Sequence, residues 1–184
     1  MLLLAWRNKK NKNAKAADCA LTPLMPPDRT PPKSSREIER KFLVKRLPAD
    51  LKKHRSRRIE QGYLAVNPDG TQARLRRAGA AWSLTVKRGR GVARHEWEIQ
   101  LSQSQFQTLW PATKGRRLRK TRYDVPFGKF TIEVDVYEAT NQGLIVAEVE
   151  FENGDHCRRF QPPDWLGREV SGQTRYSNIQ LARE

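Results

Sequence analysis

The stretch that decides the fold reads Glu37-Ile38-Glu39-Arg40-Lys41-Phe42-Leu43-Val44. Successive side chains of a β-strand point to opposite faces, so Glu37, Glu39 and Lys41 share one face and apolar residues mostly occupy the other. A face that carries two carboxylates and an ammonium group cannot be buried against apolar side chains, because an unpaired buried charge costs too much free energy. We therefore expect this face to meet water, a metal ion or opposite charges.

The same alternation of charged and apolar residues returns in several later segments. The charged positions are Arg74, Arg76, Lys87, Arg94, Glu96, Glu98, Glu133, Asp135, Glu148 and Glu150. Many strands with one charged face and one apolar face predict a closed sheet with a polar interior. Carboxylates in such an interior suit metal ions, and its Lys and Arg side chains suit phosphate groups.

The ordered set of motifs resembles the CYTH superfamily, the triphosphate tunnel metalloenzymes, and most closely its short bacterial inorganic tripolyphosphatase-like members. The segment from Glu37 to Lys41 is similar to the E-x-E-x-K signature of that family. The resemblance spans roughly residues 36–181 and continues through Gln61-Gly62-Tyr63-Leu64, Arg74-Leu75-Arg76, Leu84-Thr85-Val86-Lys87, Arg94-His95-Glu96-Trp97-Glu98, Lys120-Thr121-Arg122-Tyr123, Glu133-Val134-Asp135, Ala147-Glu148-Val149-Glu150 and Arg175-Tyr176-Ser177-Asn178.

The resemblance implies a mainly β fold, an antiparallel eight-stranded β-barrel tunnel with short flanking helices, over residues 36–184. Pattern alone predicts strands near residues 37–44, 59–66, 72–77, 82–87, 93–101, 118–126, 129–138 and 144–152. The capping-box spacing of Ser102 and Gln105 predicts a short helix after residue 101. Short helices are also expected at residues 47–54 and 179–182, and a turn or short helix near residues 162–165.

Residues 1–35 differ from the rest because they are basic, rich in proline and poor in core residues. This composition predicts a disordered N-terminal extension. It is either a basic tail that contacts polyanions or a stretch upstream of the true start, for which Met25 is a candidate. The apolar patch at residues 1–6 precedes the positive charges, which is the wrong order for a secretory signal.

The predicted metal ligands are Glu37, Glu39, Glu148 and Glu150, two pairs that suit Mg²⁺ or Mn²⁺. Four further acids are expected in supporting roles: Glu96 and Glu98 in ion pairs with the arginines or at a second metal, and Glu133 and Asp135 near the metal. A solvated strand face is the alternative for each of these pairs.

The predicted phosphate contacts are Arg74, Arg76, Lys87, Arg94, Lys120, Arg122 and Arg175. Lys41 also contributes a positive charge to this set. The alternation around residues 116–122 allows two registers, with either Arg117 and Arg119 or Lys120 and Arg122 facing inward. The family resemblance favours the second register. The family commonly has Asp-Lys-Arg-Tyr near the C-terminus, where this chain has Gln173-Thr174-Arg175-Tyr176, so one phosphate contact is missing.

The resemblance also implies a catalytic pair made of Tyr63 and Lys41. An ammonium group next to a phenol favours the phenolate, which would make Tyr63 a general base for the attacking water. The alternative is a structural role, in which Tyr63 is a core or lid residue whose hydroxyl is merely hydrogen-bonded.

Composition limits the setting and the partners. The chain has 184 residues and a formal net charge of +16, so it should attract polyanions. Its two cysteines form no disulfide framework, which favours a reducing, cytoplasmic setting. No apolar run approaches the roughly 20 residues that cross a bilayer, so no membrane partner is expected.

The predicted function is metal-dependent hydrolysis of a small-molecule linear triphosphate, inorganic tripolyphosphate first, with release of orthophosphate. Thiamine triphosphatase or adenylate cyclase activity on the same fold is the alternative within the class. A non-catalytic module that binds polyphosphate or nucleic acid is the alternative outside it, although charge alone would not require carboxylate pairs inside the sheet. Specific nucleic-acid recognition is not expected, and the oligomeric state stays open.

Overall fold

The computed structural model describes residues 35–89 and 93–183 of the chain. Residues 1–34 of the predicted N-terminal extension lie outside this part. Within it, nine strands form one antiparallel sheet: β1 (Ser35–Val44), β2 (Arg55–Val66), β3 (Gln72–Ala78), β4 (Ala81–Arg88), β5 (Ala93–Leu101), β6 (Arg117–Phe127), β7 (Phe130–Tyr137), β8 (Ile145–Phe151) and β9 (Leu166–Glu169).

The strands follow the order β5-β4-β3-β2-β6-β7-β8-β1-β9. Strand β1 pairs with β8 along residues 38–43 and with β9 through Phe42 and Val44. Residues 35–38 of β1 also pair with residues 93–96 of β5, the first strand of that order. The predicted mainly β, antiparallel fold is therefore confirmed, and the sheet has one strand more than the eight expected.

The apolar faces of β1, β6, β7 and β8 form the main hydrophobic core. Its fully buried members include Ile132, Val134, Ala147 and Val149. Phe160 and Leu166 cover this face from the segment that follows β8. Because these apolar residues alternate with charged ones, burying them turns the charged side chains of the same strands to the opposite face of the sheet.

Within the described residues, three short helices accompany the sheet: α1 (Gln103–Leu109), α2 (Gly154–Arg159) and α3 (Asn178–Leu181). Single 3₁₀ turns lie at Leu51–Lys53, Trp110–Thr113, Ala139–Asn141 and Thr174–Tyr176. The capping box predicted at the start of α1 is present, because Ser102 Oγ accepts from the backbone of Gln105 and the Gln105 side chain accepts from the backbone of Ser102.

Sequence reasoning missed α2 and β9. Helix α2 begins after Asn153, whose side chain accepts a hydrogen bond from the backbone nitrogen of His156, so an N-cap signal was available. Strand β9 spans only four residues, Leu166–Glu169, which is too few to show a period-two pattern. The helix expected at residues 47–54 is reduced to one 3₁₀ turn at Leu51–Lys53.

None of the helices within residues 35–89 and 93–183 is long and apolar enough to cross a membrane.

Candidate active site

The charged faces of the strands line one cavity of about 920 Å³. Most of the predicted site residues are on its wall: Glu39, Lys41, Tyr63, Arg74, Arg76, Lys87, Glu96, Glu98, Arg122, Glu133, Glu148 and Glu150. The side chains of Glu37 and Arg94 lie outside the described part of the structure, so their roles stay predictions. Residues 170–174 and 177–179 of the C-terminal segment complete the wall.

Strand register brings Glu39 and Lys41 of β1 opposite the two acids of β8. Glu39 lies directly across from Glu150, and Lys41 lies directly across from Glu148. Lys41 Nζ is 2.7 Å from Glu148 Oε1 and 3.4 Å from the carbonyl oxygen of Tyr176. Burial opposes the charge on Lys41, but the neighbouring carboxylates Glu148 and Glu39 outweigh it and raise the lysine pKa. Lys41 is therefore a fixed positive charge on the cavity wall.

Arg122 is the centre of a buried ion-pair network. Its Nε and Nη2 atoms are each 2.6 Å from an oxygen of Asp135, and Nη2 is also 2.7 Å from Glu148 Oε2. Its Nη1 atom donates to Glu133. Burial opposes the charge, but Asp135, Glu148 and Glu133 together raise the Arg122 pKa well above its ordinary value. Arg122 therefore holds three acids in place.

Lys120 faces inward, as the predicted register requires, while Arg119 is exposed. Its ammonium group contacts Asp135 and lies 5.4 Å from the ring centre of Tyr137. Burial lowers the Lys120 pKa to about 8, although Asp135 opposes that shift. Lys120 is fully buried and is not among the residues that line the cavity, so the geometry assigns it to Asp135 rather than to phosphate.

Arg74 and Arg76 lie on β3, line the same cavity and have fewer opposite charges around them than Arg122. Arg74 Nη2 donates to Thr85 Oγ1 at 3.3 Å and is 4.0 Å from Glu96. Arg76 makes no ion pair with any residue in the described part of the chain. The buried Nε atoms of both arginines have no acceptor there. Burial, together with repulsion from Arg74 and Arg122, lowers the Arg76 pKa to about 10.

Of the two supporting acids on β5, Glu96 forms ion pairs with cavity cations, whereas the hydrogen bond of Glu98 comes from a threonine. Glu96 Oε2 is 2.8 Å from Lys87 Nζ, and Glu98 accepts a hydrogen bond from Thr85 Oγ1 at 2.8 Å. Glu98 also attracts the positive charge of Arg76. Burial opposes ionisation of Glu96, but Lys87 and Arg74 outweigh it and lower the Glu96 pKa.

The carboxylates of the cavity fit a divalent cation as a pair rather than as a cage. Among the described residues, no group of three or more His, Cys, Asp or Glu side chains is arranged to share an ion. Glu39 and Glu150 are direct cross-strand neighbours on the cavity wall, and like charges placed opposite each other repel. Two carboxylates that leave positions for phosphate oxygens and water are the usual environment of Mg²⁺.

The remaining predicted members are placed as follows. Tyr63 is buried on the cavity wall, and its hydroxyl oxygen accepts a hydrogen bond from Gln61 Nε2 at 3.2 Å. Arg175 is exposed and does not line the cavity; its guanidinium group packs 4.5 Å from the ring centre of Tyr176. Thr174, at the position where the family commonly has lysine, does line the cavity.

Arg57 is a cavity residue that sequence reasoning missed. Its Nη1 atom donates to Asp124 and its Nη2 atom lies 3.0 Å from Glu133 Oε1. Arg57 precedes Ile59 and Gln61 at period two on β2, so the alternation that ends at Tyr63 could have revealed it.

A family model described as CYTH domain matches residues 35–182. The chain belongs to the CYTH domain family. The inorganic triphosphatase of Nitrosomonas europaea is 44% identical over 148 residues, which cover 79% of this chain and 96% of that protein. The inorganic triphosphatase of Acetivibrio thermocellus is 34% identical over 152 residues, which cover 80% of this chain and 94% of that protein.

Comparison with solved structures points to the same family. A solved structure of an inorganic triphosphatase superposes with a TM-score of 0.62 and 40% sequence identity, covering 80% of this chain and 95% of that one.

Proposed function

We propose that this chain is an inorganic triphosphatase that hydrolyses linear tripolyphosphate and releases orthophosphate. The observation that carries the proposal is the cluster of Arg74 and Arg76 on the cavity wall, whose two buried guanidinium Nε atoms have no acceptor among the described residues. Arginine donors arranged in this way suit the oxygens of a polyphosphate. The two inorganic triphosphatases that resemble the chain over about four fifths of its length support the same substrate.

We also propose that β1 to β8 close into a tunnel around the cavity. The pairing of residues 35–38 with residues 93–96 supports closure, because it joins the first strand of the sheet order to the last but one. A closed sheet would surround the substrate with charged side chains from all of its strands.

Within the tunnel, Glu39 and Glu150 would hold the divalent cation, with Glu37 and Glu148 as further candidates. Bound Mg²⁺ or Mn²⁺ would neutralise phosphate charge and polarise the phosphorus–oxygen bonds. Glu148 is already shared between Lys41 and Arg122, so its contribution competes with two ion pairs. Arg74 and Arg76 of β3 and Lys87 of β4 would orient the phosphate chain.

Tyr63 would remove a proton from the attacking water. Its buried hydroxyl lies on the cavity wall beside the arginine cluster, where positive charge favours the phenolate. Lys41 lines the same cavity and would contribute to this field, while its direct contacts are with Glu148 and Tyr176. In-line attack on a terminal phosphorus atom would then release orthophosphate.

The cytoplasm is the setting that we propose, because the two cysteines of the sequence form no disulfide framework.

The test is phosphate release from tripolyphosphate, thiamine triphosphate, ATP and pyrophosphate, each with Mg²⁺, with Mn²⁺ and in excess EDTA. We expect tripolyphosphate to give the highest kcat/KM and EDTA to abolish turnover. Preference for thiamine triphosphate or ATP would move the chain to another activity of the same fold. Tight tripolyphosphate binding without turnover under any metal condition would favour the non-catalytic binding module, and full turnover in EDTA would contradict the metal requirement.

A further inference from the structure

Gln61 is a fully buried amide that contacts the proposed general base. It lies two residues before Tyr63 on β2, so the two side chains project from the same face of the sheet. Gln61 Nε2 donates to the hydroxyl oxygen of Tyr63 at 3.2 Å. Tyr63 lines the cavity, whereas Gln61 is not among the lining residues, so Gln61 reaches the cavity only through Tyr63.

Burying the amide of Gln61 at this position costs free energy. Its Oε1 atom is buried and has no hydrogen-bond partner among the described residues, which leaves half of the amide unsatisfied. Ile59, the preceding residue on the same face, shows that an apolar side chain packs well in this row. Packing alone would favour another apolar residue at position 61, so the amide needs a reason beyond packing.

We propose that Gln61 is a positioning residue for the Tyr63 hydroxyl, an inference that rests on the proposed function. Its N–H group occupies one lone pair of the phenol oxygen and so fixes the direction in which the remaining lone pair and the hydroxyl proton lie. A donor to that oxygen also stabilises the phenolate more than the phenol, which lowers the pKa of the tyrosine. Gln61 thus keeps the base oriented and ionisable.

The other charged or titratable groups around Tyr63 stay in place when Gln61 is replaced. Those that share the cavity wall or pack against the ring come from eight strands: Glu39 and Lys41 of β1, Arg57 of β2, Arg74 and Arg76 of β3, Lys87 of β4, Glu96 and Glu98 of β5, Arg122 of β6, Glu133 and Tyr137 of β7, and Glu148 and Glu150 of β8. A change in the Tyr63 titration on replacing the amide therefore reports the amide and not the surrounding field.

The experiment titrates Tyr63 by ¹³C NMR with labelled tyrosine, assigning its signal by its loss in Tyr63→Phe. Gln61→Met removes the donor and keeps a side chain of similar length. We expect the Tyr63 pKa to rise by about 0.7, since one hydrogen bond contributes about 1 kcal/mol and one pKa unit corresponds to about 1.4 kcal/mol. The acidic limb of the kcat/KM profile for tripolyphosphate should move upward by the same amount, with KM little changed.

Gln72→Met is the matched control, because Gln72 is also a buried glutamine on the cavity wall but pairs across to Lys87 on β4. We expect it to leave the Tyr63 pKa unchanged. An unchanged or lower Tyr63 pKa in Gln61→Met would overturn the proposal; a lower value would mean that the hydroxyl donates to the amide oxygen instead.

If Gln61→Met does not fold, Gln61→Asn serves as the second variant, because the shorter side chain draws the same amide away from the hydroxyl. It should raise the Tyr63 pKa in the same direction, and an unchanged value would again overturn the proposal. A wild-type protein that leaves tripolyphosphate intact would overturn the proposed function, whereas the tyrosine titration would still decide the contact between Gln61 and Tyr63.

Discussion

The two walls of the cavity differ in how fully their buried charges are compensated by opposite charges. The paired wall consists of Lys41, Arg122 and Glu148, which line the cavity, and of the buried pair Lys120 and Asp135, which does not. Each of these charges contacts at least one opposite charge. The arginine wall, formed by Tyr63, Arg74 and Arg76, leaves two buried guanidinium nitrogens without acceptors among the described residues. Burial and mutual repulsion lower the pKa of Arg76 there, whereas the acids raise that of Arg122 on the paired wall.

This difference separates structural charge from functional charge. Buried ions that neutralise one another are rigid, and the fold depends on keeping them paired. Buried cations without full compensation are held at a cost that a bound anion would relieve. We therefore expect mutations on the paired wall to change stability first, and mutations on the arginine wall to change substrate handling first.

The largest effect should come from the hydroxyl of the arginine wall. Tyr63→Phe keeps the ring and its packing but removes the proposed base, and losing a general base costs about 10²- to 10⁴-fold in rate. The loss should appear in kcat and not in KM, because metal and cations carry the ground-state binding. Steady-state phosphate release measures both constants.

Tyr123→Phe is the control for this change, since Tyr123 packs with the apolar core instead of lining the cavity. It should leave turnover near the wild-type value. Wild-type turnover in Tyr63→Phe would remove the base from the arginine wall and leave activation of water to the metal or to a carboxylate such as Glu39.

The second effect tests the paired wall. Asp135→Asn leaves the buried charges of Lys120 and Arg122 without their shared partner, and breaking a buried ion pair in this way costs about 3–5 kcal/mol. Urea unfolding should show this loss. Asp164→Asn breaks the exposed pair with Arg46 and should cost less than about 1 kcal/mol. Equal losses in the two variants would mean that the network contributes no more than a surface pair.

The third effect should show the opposite pattern. Arg76→Met removes a cation that lacks an ion pair among the described residues, so the free energy of unfolding should hold or rise. Loss of a charged hydrogen bond to substrate, worth about 1.5–3 kcal/mol, should lower kcat/KM for tripolyphosphate by roughly 10- to 100-fold.

The neighbouring Arg77 provides the control for Arg76, because it is exposed on the other face of β3 and lies 3.7 Å from Glu60. Arg77→Met should change neither quantity appreciably. If Arg76→Met destabilised the fold as much as Asp135→Asn, the two walls would not differ in kind.

The sequence predicted the arrangement of the walls better than their contacts. Period-two alternation placed Lys120 and Arg122 inward once the register was chosen, and it placed the pairs Glu39 with Lys41 and Glu148 with Glu150 on charged faces. Those inferences depend only on which side of a strand a residue occupies. They survive because a slip of one residue would bury every charge of the strand against the core.

Contacts between side chains on different strands could not be predicted from alternation. That Lys41 faces Glu148 depends on the register of β1 against β8, two strands about a hundred residues apart in the chain, which no local pattern encodes. The same limit hid the contact of Lys120 with Asp135 and the contacts of Arg57 with Asp124 and Glu133. Arg175 was placed by motif alone, and it lies in a 3₁₀ turn where alternation says nothing about direction.

The smallest effect should appear when acid titrates the paired wall. Burial opposes ionisation of Asp135 and Glu148, but the facing cations Arg122, Lys120 and Lys41 hold both carboxyl pKa values below their ordinary values of 3.8 and 4.5. As pH falls through those ordinary values, the unfolded chain takes up protons before the folded chain does. The stability that these two acids contribute is therefore complete above about pH 5 and is lost progressively below it.

Asp135→Asn isolates this contribution, because it removes one of the two low-pKa acids and leaves the other carboxylates of the cavity in place. Its free energy of unfolding, measured in urea at pH 7, 5, 4 and 3, should start lower than that of the wild type and fall less steeply with acid. The two curves should therefore converge towards low pH. Parallel curves would mean that Asp135 titrates alike in the folded and unfolded chains, and the pairing that defines this wall would then contribute nothing to its acid sensitivity.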